Sequence, residues 1–280
     1  MSKIEHTALH TEAADLIAAA DGLIIAVGAG MGVDSGLPDF RGSSGFWRAY
    51  PALAEAHLAF EEIANPATFR RDPVLAWGFY GHRLNLYRNT QPHHGFTILR
   101  EIAGHLPKGA FVFTSNVDGQ FQQAGYDEDR VCEVHGSIHH LQCVDGCDGA
   151  ISPADDFRPE VDDSTCRLLS PLPRCSRCNN LMRPNILMFG DGDWLGQRSN
   201  AQRRRLEAWL QSVRNPVIVE IGAGNHVPTV RWFSETLGEP LVRINPTEPE
   251  IPGRGVSIPQ GGLAALNGIH AALTARHFFA

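Results

Sequence analysis

The stretch Leu23–Trp47, LIIAVGAGMGVDSGLPDFRGSSGFW, decides the fold. An apolar run, Leu23 to Val27, breaks into Gly28, Ala29, Gly30 and Gly32. A polar cluster follows: Asp34, Ser35, Pro38, Asp39 and Arg41. A buried strand ending in a glycine turn is how a parallel sheet brings backbone N–H groups to a phosphate. The polar residues after the turn imply that what binds there is also acted upon.

The same pattern recurs along the chain. Phe111 to Phe113 reads as a second short strand, ending in Thr114-Ser115-Asn116-Val117-Asp118. Pro216 to Ile221 reads as a third, ending in Gly222-Ala223-Gly224-Asn225, and Leu241 to Ile244 as a fourth, ending in Asn245. Helical spacing marks Ala13 to Ala20, Arg204 to Val213 and Val230 to Leu237. Strands alternating with helices predict an α/β fold built on a Rossmann-like parallel sheet. Glycine and asparagine can simply turn a chain. Four strand ends of this kind weigh more than any one motif, because open α/β sheets bind ligands outside the carboxyl ends of their strands.

Composition narrows the function classes. The chain has 280 residues, 43% hydrophobic, with net charge −7. That suits one large domain carrying smaller insertions. The only basic run is Arg203 to Arg205, read as a solvated helix face, so no nucleic-acid partner is expected. No apolar stretch approaches the roughly 20 residues of a membrane span, so no membrane partner is expected either. The first residues lack the form of a signal peptide, which makes a cytoplasmic protein the expectation. Cysteines there are more often metal ligands than disulfides.

All six cysteines fall between Val131 and Phe189. Cys143 and Cys147 form one close pair, Cys175 and Cys178 another. Four thiolates from two knuckles suit one tetrahedral zinc ion, closed and therefore structural. The spacing is unusual: the first gap holds three residues, and Asp148 to Arg174 exceeds the usual roughly 15–20 residues between pairs. Cys132 reads as a small buried hydrophobe. Cys166 is an alternative ligand in another register.

Together these motifs resemble the sirtuins, NAD-dependent protein deacylases. Gly28 to Arg41 is similar to the family's GAG-x-S-x-x-S-G-I-P-D-F-R, Thr114 to Asp118 to its T-Q-N-x-D, and His135-Gly136 to its H-G element. The cysteine pairs follow, then Pro184 to Asp191 (PNILMFGD), then Ile244-Asn245, all in the family's order. The resemblance implies a Rossmann-like large domain over about 8–41, 96–131 and 190–280. A helical insertion would span about 42–95 and a zinc module about 132–189. NAD would lie in the cleft. Gly28, Ala29 and Gly30 would approach the pyrophosphate, with Asp39, Phe40 and Arg41 over the ribose and phosphates. Ser115, Asn116 and Asp118 would line the nicotinamide pocket. Gly222, Gly224, Asn225 and Asn245 would meet the phosphate and adenosine end.

The chemistry implied is breakage of the bond between nicotinamide and ribose, with an acyl-lysine oxygen as nucleophile and an acylated protein lysine as partner substrate. A histidine suits the general base because its ordinary pKa of about 6.5 is near working pH. His135 is the candidate, with Asn116 and Asp118 beside it in the catalytic set and Gly136 leaving its backbone unobstructed. His139 and His140 read as surface or packing residues. Phe189 and Gly190 fall in the substrate-binding element. Tyr80 and Arg83 form a Tyr-x-x-Arg pair similar to that of sirtuins preferring succinyl and malonyl groups, since an arginine fork clamps a carboxylate. An aromatic facing the core and an arginine facing water would give the same spacing.

Departures matter as much. Gly32 replaces a serine, Ser115 a glutamine, and Gln120-Phe121 a Leu-His pair. Gly222 to Pro228 only loosely follows the family's peptide-holding G-T-S-x-x-V-x-P. Phe79 to Arg83 and Gly224-Asn225 resemble the macrodomain-linked sirtuins, some of which transfer ADP-ribose to protein, although typical members lack the H-G histidine. That branch implies a macrodomain or lipoyl-carrier partner. Two alternatives therefore stand beside deacylation: an ADP-ribosyltransferase and a non-catalytic NAD-binding sensor. A hydride-transferring dehydrogenase is disfavoured, since Gly28, Gly30 and Val33 do not make G-x-G-x-x-G.

Overall fold

The computed structural model describes residues 3–38, 50–55, 57–147 and 149–280. In chain order its strands are β1 (Gly22–Val27), β2 (Ala110–Thr114), β3 (Val131–Glu133), β4 (Gly136–Cys143), β5 (Ile151–Pro153) and β6 (Val161–Asp162). They continue with β7 (Arg167–Leu168), β8 (Met182–Ile186), β9 (Pro216–Ile221), β10 (Leu241–Ile244) and β11 (Gly255–Ile258).

Six of these make one parallel sheet in the order β11-β10-β9-β1-β2-β3. β1 is central and buried along its whole length, so it reads as a continuous apolar run. In register, Val27 stands beside Thr114 on one side and Ile221 on the other. Strand order runs outward in both directions from the β1–β9 boundary. That boundary is the switch point where the two turns diverge and leave a crevice.

Alternate residues of the strands feed two apolar layers. Leu23, Ile25 and Val27 pack toward the Lys3–Ala18, His94–Gly104 and Gly262–Ala275 helices. Ile24 and Ala26 face the opposite layer, with Phe111, Phe113, Leu206 and Trp209. The first helix begins at Lys3, well before the stretch its spacing predicts, because its polar first turns are half-exposed and lack a periodic apolar signal. The second predicted helix, Arg204 to Val213, overlaps the second half of Gln197–Leu210 and overruns its end by three residues.

The edge strands β3 and β11 and the Gly262–Ala275 helix have no counterpart in the sequence reading. The strands are three and four residues long. The helix, GLAALNGIHAALTA, is too uniformly apolar and small to show a stripe.

A third apolar cluster sits apart and is shared by the two inserted regions. It joins Tyr50, Phe69, Trp77, Phe79 and Tyr80 to Ile138, Cys143, Cys175 and Met188. Above it lies a small antiparallel sheet in the order β5-β4-β8, with the β6–β7 pair beside it. The Pro73–Asn89 helix starts cleanly: Asp72 accepts from the N–H of Leu75, and proline occupies the first turn. Its Gly78 lets the helix lie against β7, since a Cβ there would stand 2.0 Å from the Cys166 carbonyl oxygen. Among the described residues, no helix is long and apolar enough to cross a membrane.

Candidate active site and metal cluster

The four paired cysteines come together. Their sulfur atoms all lie within 4.8 Å of one another, with Cys143–Cys178 and Cys147–Cys175 each at 3.6 Å. Tetrahedral zinc with Zn–S near 2.3 Å needs sulfurs about 3.8 Å apart, so the cluster fits one zinc ion. The knuckles are tied by Val144 N–H to the Leu181 carbonyl and by Asn180 to the Asp145 carboxylate. Backbone N–H groups of Cys178 and Arg177 draw the Cys175 thiol down to about 7, favouring thiolate. The long segment between the pairs does not disturb this geometry, because it leaves as β5 to β7 and returns. Cys166 is not a ligand. It is buried against Gly78, and burial pushes its thiol up to about 12. Cys132, on β3 of the parallel sheet, is buried in the apolar layer with Ile24 and Phe111.

At the carboxyl ends of β1, β2 and β9 lies a cavity of about 520 Å³, between the parallel sheet and the third apolar cluster. The glycine turn forms its floor with Gly28, Ala29 and Gly30. The N–H groups of Gly28 and Gly30 are not presented outward, however: they donate to the Ile221 and Gly222 carbonyls at 3.0 and 3.1 Å. The turns after β1 and β9 interlock instead. A Cβ at Gly28 would stand 2.8 Å from the Gly222 oxygen, and one at Gly222 2.4 Å from the Gly30 Cα. These glycines act by close backbone approach, giving a smooth cradle.

From β2 come Ser115, Asn116 and Asp118. Asn116 is fixed by donating its Nδ2–H to the Gly28 carbonyl at 3.0 Å. Asp118 is buried, accepts from Gln120 N–H, and its carboxyl is pushed up to about 6 by that burial. His135 stands between β3 and β4, its Nε2 3.3 Å from Thr229 Oγ1. Burial lowers its pKa, a backbone bond to Ser115 partly offsetting this, so the ring is neutral at neutral pH. Gly136 beside it has φ +79, and a Cβ there would meet the Asn185 oxygen at 2.0 Å. Its backbone is therefore not unobstructed, as the sequence suggested. Strand pairing of β4 with β8 requires this glycine.

Tyr80 and Arg83 line the opposite wall on the Pro73–Asn89 helix. Arg83 faces the cavity and is 7% exposed, so the water-facing alternative does not hold. Phe189 is on the wall next to Leu187 and Met188, and Gly222 and Gly224 close the far end.

Three expected residues stand off the wall. Gly190 lies one residue beyond it. Asn245 turns inward, donating to the Ala223 carbonyl at 2.9 Å and accepting from Thr247 and Glu248 N–H. Asn225 is held by the Glu248 carboxylate. Both asparagines brace the turn after β9. Asp39, Phe40 and Arg41 lie outside the described residues.

The wall also contains residues the sequence reading passed over. Phe60 packs edge-on to Phe189, and Glu61 pairs with His226 at 3.1 Å across the mouth. Phe60 lies on a four-residue helix with no motif to mark it. Tyr87, four residues after Arg83 on the same helix, could have been found from spacing alone.

The profile of the Sir2 family matches residues 28–227. The chain belongs to the Sir2 family. Among relatives of this Sir2 chain is an NAD-dependent protein deacylase of Aquifex aeolicus (strain VF5), 28% identical over 232 residues, covering 82% of this chain and 85% of the relative. NAD-dependent protein deacylase sirtuin-5, mitochondrial, of Danio rerio is 33% identical over 183 residues, 60% of this chain and 57% of the relative. With that and several other relatives the chain spans less than two thirds of their length. A Sir2 homologue solved with NAD superposes with a TM-score of 0.69 at 23% identity, covering 94% of this chain and 93% of that one. A mutant Sir2 homologue solved with ADP-ribose gives 0.70 at 23%, covering 99% and 98%. At that identity the likeness shows the fold.

The cavity of this Sir2 chain fits NAD on its own terms. It has the volume of a cofactor pocket and a glycine cradle on which any side chain would intrude. A few fixed polar groups stand on a largely apolar wall.

Proposed function

We propose that this chain is an NAD-dependent protein-lysine deacylase whose acyl pocket ends at Tyr80 and Arg83. The observation that carries the reading is one cavity wall holding a neutral His135, the fixed Asn116 and the buried Asp118 opposite a buried arginine. When bound, NAD supplies a ribosyl group activated by loss of nicotinamide. His135 accepts a proton at a ring nitrogen from a hydroxyl brought to it, a role suited to an imidazole kept neutral by burial. Asn116, locked to Gly28, orients what lies on the glycine cradle. The apolar wall of Phe60, Met188 and Phe189 keeps water from the reacting centre. Arg83 would receive the terminal carboxylate of a succinyl- or malonyl-type group.

The same assignment treats Gly28, Ala29, Gly30, Ser115, Gly222 and Gly224 as cofactor contacts, with Asn225 and Asn245 as supports. It places Phe189 and Gly190 along the peptide and keeps the domain division given from the sequence. A cytoplasmic site of action accords with it.

A second reading, ADP-ribosyl transfer to protein, is favoured by the Glu61–His226 bridge, which crosses the mouth where a substrate strand would enter. Membership of the macrodomain-linked branch, with a macrodomain or lipoyl-carrier partner, goes with that reading.

Mass spectrometry of products from NAD and a mixture of acetyl-, succinyl- and lipoyl-lysine peptides separates the two. O-acyl-ADP-ribose is expected, with nicotinamide release falling about 10²–10⁴-fold in His135→Ala. ADP-ribosylated protein without peptide turnover would overturn deacylation in favour of transfer.

A further inference from the structure

The helix that carries Tyr80 and Arg83 carries a third residue on the same cavity wall. Tyr80, Arg83 and Tyr87 lie at intervals of three and four residues, so they share one helix face. The Tyr87 hydroxyl accepts from both Arg83 Nε, at 3.0 Å, and Arg83 Nη2, at 2.7 Å. Arg83 Cζ stands 5.2, 5.7 and 5.4 Å from the ring centroids of Phe79, Tyr80 and Tyr87. The guanidinium therefore sits among aromatic rings, with its Nε–Nη2 edge donating to the Tyr87 phenolic oxygen.

That edge, Nε with one Nη, is one of the two that can bind a carboxylate through parallel hydrogen bonds. A cation buried beside an acyl pocket would normally select against uncharged acyl groups. A neutral group offers the donors nothing, and buried donors that lose an acceptor are costly. Tyr87 removes that penalty by serving as an internal acceptor. Its burial raises the phenol pKa, so it acts as a neutral hydroxyl and not as a counter-ion. An incoming carboxylate can take its place, because charge-assisted hydrogen bonds are roughly twice as strong as neutral ones.

We infer that Tyr87 is a specificity-determining residue that widens the acyl range. With its hydroxyl in place, the pocket takes uncharged short acyl groups and carboxylate-bearing ones alike. Without it, the pocket is committed to carboxylates. The inference rests on the acyl-pocket reading above.

The test is the ratio of kcat/KM for succinyl- and acetyl-lysine forms of one peptide, a quantity independent of how much enzyme is folded. Arg83→Met should lower the succinyl-to-acetyl ratio; no change there would overturn the acyl-pocket reading and this inference with it. Given that response, Tyr87→Phe should raise the ratio about tenfold, through a higher KM for the acetyl peptide. Tyr87→Gln, which restores an acceptor oxygen, should return it toward the wild-type value. An unchanged or lowered ratio in Tyr87→Phe, with Arg83→Met behaving as expected, would overturn the inference alone. Tyr87→Met supplies a second variant without an acceptor. If neither it nor Tyr87→Phe folds while Tyr87→Gln does, the hydroxyl is a structural acceptor and the inference fails.

Discussion

Asp118 is a buried carboxyl that costs stability on the cavity wall. Burial raises its carboxyl to about 6, above the ordinary carboxylate value near 3.9. The folded chain therefore holds a proton between those two values that the unfolded chain has lost. Stability from this group is gained as pH falls through 6, and its cost is fully present above 6, at about 3 kcal/mol. Asp118→Asn keeps an oxygen to accept from Gln120 N–H but carries no charge. We expect its unfolding midpoint at pH 7.5 to exceed that of the wild type by several degrees, with nicotinamide release reduced. Denaturant melts at pH 7.5 and pH 5 check this: the wild type should gain relative to the variant at the lower pH. A variant no more stable than the wild type at pH 7.5 would refute it. His135 has the opposite sense. Its lowered pKa keeps the base form down into mildly acidic solution, so the acid limb of kcat/KM belonging to it should lie below about 6.5.

Among the elements, the Pro73–Asn89 helix is the one whose placement most affects the site, because it carries Tyr80, Arg83 and Tyr87. It is seated through glycines, Gly78 against Cys166 and Gly81 against Pro159. Replacing a helix-interior glycine by alanine ordinarily stabilises by about 1 kcal/mol. Gly78→Ala should reverse that sign and destabilise by about 1–3 kcal/mol, because the new methyl overlaps a carbonyl oxygen that cannot retreat without moving β7. Gly104→Ala, at the last residue of the His94–Gly104 helix, is the unobstructed control, since a Cβ there meets nothing within 4 Å, and it should stabilise by less than an interior site would. Urea denaturation of the two variants should move the midpoint in opposite directions.

At the same scale, the strands that could be read in advance were the four interior ones of the parallel sheet, β10, β9, β1 and β2. β1, and β9 apart from Glu220, are apolar runs closed by glycine, and that is visible in one dimension. β3 and β11 are short edge strands stabilised by neighbours distant in the chain, so their own residues carry little signal.

For the molecule as a whole, the metal cluster and the cavity depend on the same apolar cluster. Cys143 and Cys175 are members of the core that includes Trp77, Tyr80 and Met188, while the parallel sheet has apolar layers of its own. Removing zinc, by chelation or by Cys175→Ser, should therefore loosen the smaller core first. Trp77 is fully buried and bonds to the Met182 carbonyl at 2.8 Å, so its fluorescence should shift before the sheet unfolds. Nicotinamide release should fall in step, since one side of the cavity belongs to that core. A single cooperative melt unaffected by chelator, with no zinc in the purified protein, would contradict this.

The sequence by itself determined the class of fold and the four cysteines that fit the metal, and it named several of the residues that line the cavity. Buried parallel strands are mostly apolar, broken here by the paired Glu220 and Arg243, their glycine turns follow directly, and paired thiols have few other uses. The sequence could not say which polar residues face the cavity. Asn225 and Asn245 follow strand ends as Asn116 does, yet Asn225 is held at the surface by Glu248 and Asn245 is buried against the Ala223 carbonyl. Tertiary structure also made Gly136 a packing residue, and set a phenol from one helical turn further along against the Arg83 guanidinium. Side-chain direction depends on which backbone groups other elements leave to be satisfied, and that is fixed only when the sheet, the helix and the cysteine knuckles meet.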